Sequence, residues 1–228
     1  MKISTLVILS ISVVLIVSGL FFYYITVIVP RASTKTNQNI NTAHERRIVA
    51  FGDSLTFGYG LATIDDSYPS QLQKKLLEQG YNYKVFNMGV NGETSMDGLA
   101  RIDSVLSFEP DLVLLEFGAN DFLRSQSPVT AQENIEKMIK IFDDKHIQVV
   151  LLNVDQNPLL PLPNHDIFIQ IMPELAKKYA LLMVPDLLKG VLLQQEYTIE
   201  DRLHPNKSGY KKILDDNLWP ILQKQLIK

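Results

Sequence analysis

The run Ile48-Val49-Ala50-Phe51-Gly52-Asp53-Ser54-Leu55 decides how the chain is read. Apolar residues, two of them β-branched, stop at a glycine and deliver a serine, the pattern of a buried strand handing a hydroxyl to a loop. That hydroxyl makes Ser54 a candidate nucleophile. Gly52 to Leu55 alone also has the composition of an ordinary turn, so its meaning depends on the rest of the chain.

Further apolar runs recur at 83–86, 112–117, 147–154 and 181–184. Between them, apolar residues fall at helical spacing: Leu72, Leu76 and Leu77; Leu99, Ile102, Val105 and Leu106; Ile135, Met138, Ile139 and Phe142. Thr130 followed by Glu133 reads as a capping box opening the third helix, and Pro69 suits the opening turn of the first. Residues 207–226 read as a closing helix with Ile213, Leu214 and Leu218 inward. This alternation predicts a three-layer α/β/α sandwich around a five-stranded parallel sheet in the flavodoxin-like order 2-1-3-4-5. Ligands of such sheets bind beyond the carboxyl ends of the strands where the order reverses, here between strands one and three. Ser54 follows the first strand and Gly118-Ala119-Asn120-Asp121 follow the third, so two polar motifs face one crevice.

The 228 residues suffice for one well-buried domain. A formal charge of −3, with both signs interspersed, lacks the basic patch that nucleic-acid binding requires. The absence of cysteine excludes disulfides, a thiolate nucleophile and cysteine metal sites.

Residues 3–29 form a 27-residue stretch without a charged side chain, longer than the roughly 20 residues that cross a bilayer core. The expected organisation is an N-terminal transmembrane helix or uncleaved signal over 1–30, a polar flexible tether over 31–46, and the folded domain over 47–228. Tyr23 and Tyr24 fit an interfacial belt. Arg31, Lys35, Arg46 and Arg47 outnumber the charges before the span, and a positive-inside count alone favours a cytoplasmic domain.

A serine hydroxyl needs a general base within hydrogen-bond reach, and histidine suits that work. Of the four histidines, His44 lies in the tether, His146 precedes the fourth strand on the surface, and His165 stands beside Asp166 after a proline-rich loop, a candidate substrate contact. His204 lies in Asp201-Arg202-Leu203-His204-Pro205-Asn206, after the fifth strand, with Asp201 three residues earlier to orient its ring. The plain alternative is a solvated histidine in a loop. Acyl transfer also needs donors for a developing oxyanion. Asn87-Met88-Gly89-Val90-Asn91-Gly92 can present backbone amides there, and Asn120 a side-chain amide.

These four blocks, in this order, resemble the SGNH (GDSL-type) hydrolase family, and within it the bacterial thioesterase and lysophospholipase type of esterase. The resemblance covers about residues 47–226. It implies Ser54 as nucleophile, His204 as base and Asp201 as its orienting partner. It also implies an oxyanion hole from the Ser54 amide, the Gly89 amide and the Asn120 side chain, with Asp53 and Asp121 tying loops together. The implied substrates are small acyl esters, thioesters or lysophospholipids, handled by a monomer with no metal or organic cofactor. Exported relatives set an extracytoplasmic domain against the charge count; a secreted or periplasmic protein after signal cleavage is the alternative.

Two positions depart from the family: Arg202 and Ala119 stand where glycine is common, read as changes in substrate access. The loop 156–165, with Pro158, Pro161 and Pro163, is placed to line an acyl pocket that Ile167, Phe168 and Ile171 extend unless they are simply core. An acyltransferase using the same site and a catalytically silent binding protein are the rival functions. A flavodoxin-like phosphate site is opposed by Asp53 in the first loop.

Overall fold

The computed structural model describes residues 45–154 and 164–227. The expected anchor, the tether up to residue 44 and the proline-rich stretch 156–163 lie outside the described residues, while Arg46, expected as the last tether residue, opens the first strand. Five strands, β1 (Arg46–Gly52), β2 (Tyr83–Gly89), β3 (Leu112–Glu116), β4 (Gln148–Leu152) and β5 (Leu182–Val184), form one sheet in the order β2-β1-β3-β4-β5. All four pairings are parallel, the expected topology.

Because side chains alternate along a strand, a sheet buried on both faces needs apolar residues at every position. Ile48, Ala50, Leu112, Leu114, Val150 and Leu152 enter one core with Leu72, Leu76, Tyr210 and Ile213. Val49, Phe51, Val113, Leu115, Val149 and Leu151 enter the other, with Val105, Ile135, Met138, Phe142 and Phe168. The Tyr68–Glu78 helix and the C-terminal helical segment therefore cover one face, and the Pro128–Asp144 and His165–Tyr179 helices the other. Each fully buried Leu or Ile contributes about 1.5–3 kcal/mol. Among the described residues no helix is long and apolar enough to cross a membrane.

Local details differ from the sequence reading. Leu77 is exposed, because it sits well off the Leu72/Leu76 stripe at 100° per residue. The segment 95–106 breaks at Arg101 into Ser95–Ala100 and Ile102–Leu106. Thr130 caps nothing: the helix opens one turn earlier, with Ser127 accepting from the Thr130 amide. The capping box lies instead at Thr94 and Asp97. The closing segment is helical, with a π turn over Ile213–Leu218 that buries Ile213, Leu214 and Leu218.

Register positions the crevice. Gly52 pairs with Gly89 on one side and Glu116 on the other. The carboxyl ends of β2, β1 and β3 thus lie abreast, and the polar segments that follow them converge.

Candidate active site

Ser54 opens a one-turn helix, Ser54–Phe57, directly after β1, with Asp53 as N-cap accepting from the Leu55 amide. The hydroxyl is thus held on a sharp strand-to-helix turn, and the Ser54 amide, at the first helical position, has no intrahelical carbonyl to bond. Ser54 is 8 % exposed.

His204 reaches it from the loop that follows β5. Its Nε2 lies 3.0 Å from Ser54 Oγ, and its Nδ1 2.6 Å from Asp201 Oδ2. An ionised carboxylate only accepts, so Nδ1 carries the proton and Nε2 is left to accept from the serine hydroxyl. Asp201 Oδ1 takes the backbone amides of Leu203 and His204, both at 2.9 Å. Burial pushes the Asp201 carboxyl up, but the His204 ring and these amides outweigh it and hold the group below its ordinary value. Tyr59 packs on the His204 ring at 4.7 Å between centroids, a contact with no sequence signal. Arg202 occupies the left-handed region at φ 62°, where a glycine carries no Cβ penalty. Ala119 is the first residue of a helix, Ala119–Leu123, a place that needs no glycine.

Gly89 has a packing reason. A Cβ there would lie 2.1 Å from Phe57 N, so only glycine lets β2 approach the backbone of the nucleophile turn. Its amide donates to Asn87 Oδ1 at 2.9 Å. Asn120 Nδ2 lies on Asp53 Oδ2 at 2.9 Å and the Glu93 carbonyl at 3.0 Å. The structure therefore brings Ser54, Gly89 and Asn120 to one end of the sheet, with the last two already hydrogen-bonded to neighbouring groups.

Asp53 and Asp121 tie the loops as expected. Asp53 accepts from Leu55 and from Asn120, and its Oδ1 lies 3.4 Å from Ser54 Oγ, whose one hydrogen goes to His204. Asp121 accepts the Ser95 amide and hydroxyl at 2.8 and 2.6 Å. Arg101, which the sequence did not single out, donates to Glu93, to the Met88 carbonyl and to the Gly52 carbonyl at 2.6, 2.9 and 3.3 Å. It joins the ends of β1 and β2 to the residue whose carbonyl holds Asn120.

His165 opens the His165–Tyr179 helix and meets the edge of Phe122. Phe168 and Ile171 are buried in the core and line a small recess with Phe117, Gly118, Asn153 and Met172, whereas Ile167 is half exposed. His146 is on the surface, at φ 59°.

With this geometry in place, comparison with known proteins is direct. The sequence pattern of the GDSL-like Lipase/Acylhydrolase family matches residues 50–212. The chain belongs to that family. It is 37% identical over 160 residues to an arylesterase of Vibrio mimicus, covering 70% of this chain and 80% of the relative. It is 27% identical to the thioesterase 1/protease 1/lysophospholipase L1 of Escherichia coli, covering 74% and 79%. The crystal structure of TesA superposes with a TM-score of 0.75 at 31% identity, covering 79% of this chain and all (100%) of that one. The chain is accordingly a GDSL-type serine ester hydrolase, as its resemblance to the SGNH family implied.

Proposed function

We propose that this GDSL hydrolase cleaves small acyl esters, thioesters or lysophospholipids through Ser54, His204 and Asp201. The observation that carries the reading is the unbroken chain Ser54 Oγ, His204 Nε2, His204 Nδ1, Asp201 Oδ2, with links of 3.0 and 2.6 Å. Ser54 Oγ attacks the acyl carbonyl as its proton passes to His204 Nε2. Asp201 holds the ring in the required tautomer and stabilises the imidazolium. The oxyanion is received by the Ser54 and Gly89 amides and Asn120 Nδ2, whose hydrogens are then shared with or withdrawn from Asn87, Asp53 and Glu93. Collapse breaks the C–O or C–S bond, His204 gives its proton to the leaving alcohol or thiol, and water releases the acyl group by the reverse path.

The recess bordered by Phe117, Phe168 and Ile171 lies at the carboxyl end of β3, which supports an acyl-binding role for that side of the crevice. The uncharged stretch 3–29 supports a domain held at a membrane by a retained anchor or exported and released by signal cleavage.

The test is hydrolysis of p-nitrophenyl esters of increasing chain length and of acyl thioesters by the full-length protein and Ser54→Ala, with and without an added alcohol. Activity lost with Ser54, and acyl groups recovered as free acid, support the hydrolase. Acyl groups recovered on the alcohol in preference to water make the protein a transferase. A folded wild type no faster than Ser54→Ala refutes the reading.

A further inference from the structure

Glu116 ends β3 beside the nucleophile turn, yet acyl transfer by Ser54, His204 and Asp201 has no step for it. It and Asp53 are each 1 % exposed. Glu116 Oε2 accepts the Asp53 amide and the Thr56 hydroxyl, both at 3.1 Å. Thr56 has a single hydroxyl hydrogen, so the Tyr68 hydroxyl, 3.1 Å away, donates to Thr56. The close fit of this cluster explains Gly52, where a Cβ would lie 2.4 Å from Thr56 Oγ1 and 2.5 Å from Glu116 Oε2.

The bond from the Asp53 amide sets two buried carboxyls close together, and the Asp53 charge opposes ionisation of Glu116. Two carboxyls that share a buried site resist being ionised together; one keeps a proton. Asp53 accepts from Leu55 and Asn120, which suits the charged partner. Glu116 Oε1 has no donor among the described residues, which suits the neutral one. Burial, followed by the adjacent Asp53 charge, pushes the Glu116 carboxyl well above its ordinary value.

We propose that Glu116, as a neutral carboxylic acid, is a positioning residue for acyl transfer. It accepts from the Asp53 amide and the Thr56 hydroxyl, and by pinning both it aims Ser54 at His204 and keeps Asp53 facing Asn120. This rests on the Ser54 reading above. The titratable groups that face Glu116 are Asp53, Tyr68 from the Tyr68–Glu78 helix and Tyr210 from the Lys207–Lys212 helix, while the His204 charge acts on Asp53. None of the three groups facing Glu116 is a cation. When rising pH ionises Glu116, a second buried negative charge is set against Asp53, and the turn loses its support.

The experiment compares full-length wild type, Glu116→Gln, Glu116→Leu and Ser54→Ala on p-nitrophenyl butyrate across the pH range, with infrared spectra at neutral pH. Glutamine keeps an acceptor for the Asp53 amide and the Thr56 hydroxyl and cannot ionise. Glu116→Gln is expected to hold kcat near that of wild type at neutral pH and to retain it further into alkali. Glu116→Leu is expected to lose about 10–100-fold in kcat with KM little changed, as a displaced nucleophile does. Wild type should show a protonated-carboxyl band that Glu116→Gln lacks. That band is read without activity, so it holds if Glu116→Leu does not fold. Its absence from wild type overturns the proposal, as does a folded Glu116→Leu with wild-type kcat, or coincident alkaline profiles for wild type and Glu116→Gln. If wild type is no faster than Ser54→Ala, the hydrolase reading fails, and the infrared band still decides the state of Glu116.

Discussion

His204 Nε2 stands 3.0 Å from Ser54 Oγ although 150 residues of chain separate them. The serine rides on the turn after β1 and the histidine on a loop beyond β5, so their meeting depends on the whole sheet. Because the two act as a unit, Ser54→Ala and His204→Ala are each expected to lower kcat by about 10⁴–10⁶, and the double variant by little more than either alone. Steady-state kinetics on a p-nitrophenyl ester check this.

Asp201 accepts three hydrogen bonds, two from the backbone that shapes the loop and one from the ring it orients. Asp201→Asn is expected to leave the fold intact and lower kcat by up to about 10⁴, since an amide no longer enforces the tautomer. Circular dichroism alongside kcat separates this from a misfolded loop.

Gly89→Ala should be among the most damaging of small substitutions. Its Cβ would fall 2.1 Å from Phe57 N and 2.5 Å from Thr56 C, atoms of backbone that cannot swing aside. A loss of about 1–3 kcal/mol or more is expected for such overpacking, read by denaturant unfolding, together with a sharp fall in kcat as the nucleophile turn is pushed away.

Much of this arrangement was legible beforehand. The apolar runs at 48–51 and 112–117 specified strands buried on both faces, and their positions relative to Ser54 and Asn120 located the crevice. Arg101 and Glu116 were not legible. An arginine in a helical stretch reads as a solvated residue, and a glutamate near the end of an apolar run reads as the strand emerging into water; only the paired strand ends turn both inward. The break at Arg101 escaped for a similar reason, since its apolar neighbours keep helical spacing across it. Arg202 was visible as a departure from the family, but its φ of 62° is a property of the folded loop.

Arg101 supplies a further expectation. It links Gly52, Met88 and Glu93, and the Glu93 carbonyl in turn holds Asn120. Arg101→Met is expected to lower Tm and also kcat, with KM less affected, because the Asn120 donor drifts. Combined with Glu93→Gln it should cost less than the sum of the two.

Glu136 provides a pH test far from the crevice. Hydrogen bonds from Lys140, Tyr179 and Lys178 hold its carboxyl down to about 2. A depressed carboxyl contributes stability above its unfolded value and loses it as pH falls toward the folded value. Wild type should therefore be slightly more stable than Glu136→Gln at neutral pH, with the gap in Tm closing between about pH 4.5 and 2. The gap should be small, because the interaction lies at the surface.

Acyl transfer by this chain depends on Ser54 as the covalent nucleophile. The most direct measurement is intact and peptide mass spectrometry of the full-length protein after reaction with a fluorophosphonate. The expected result is one adduct per chain, on Ser54, formed far more slowly in His204→Ala and absent from Ser54→Ala. A folded wild type that takes no label, or takes it at another residue with Ser54 untouched, would contradict the account.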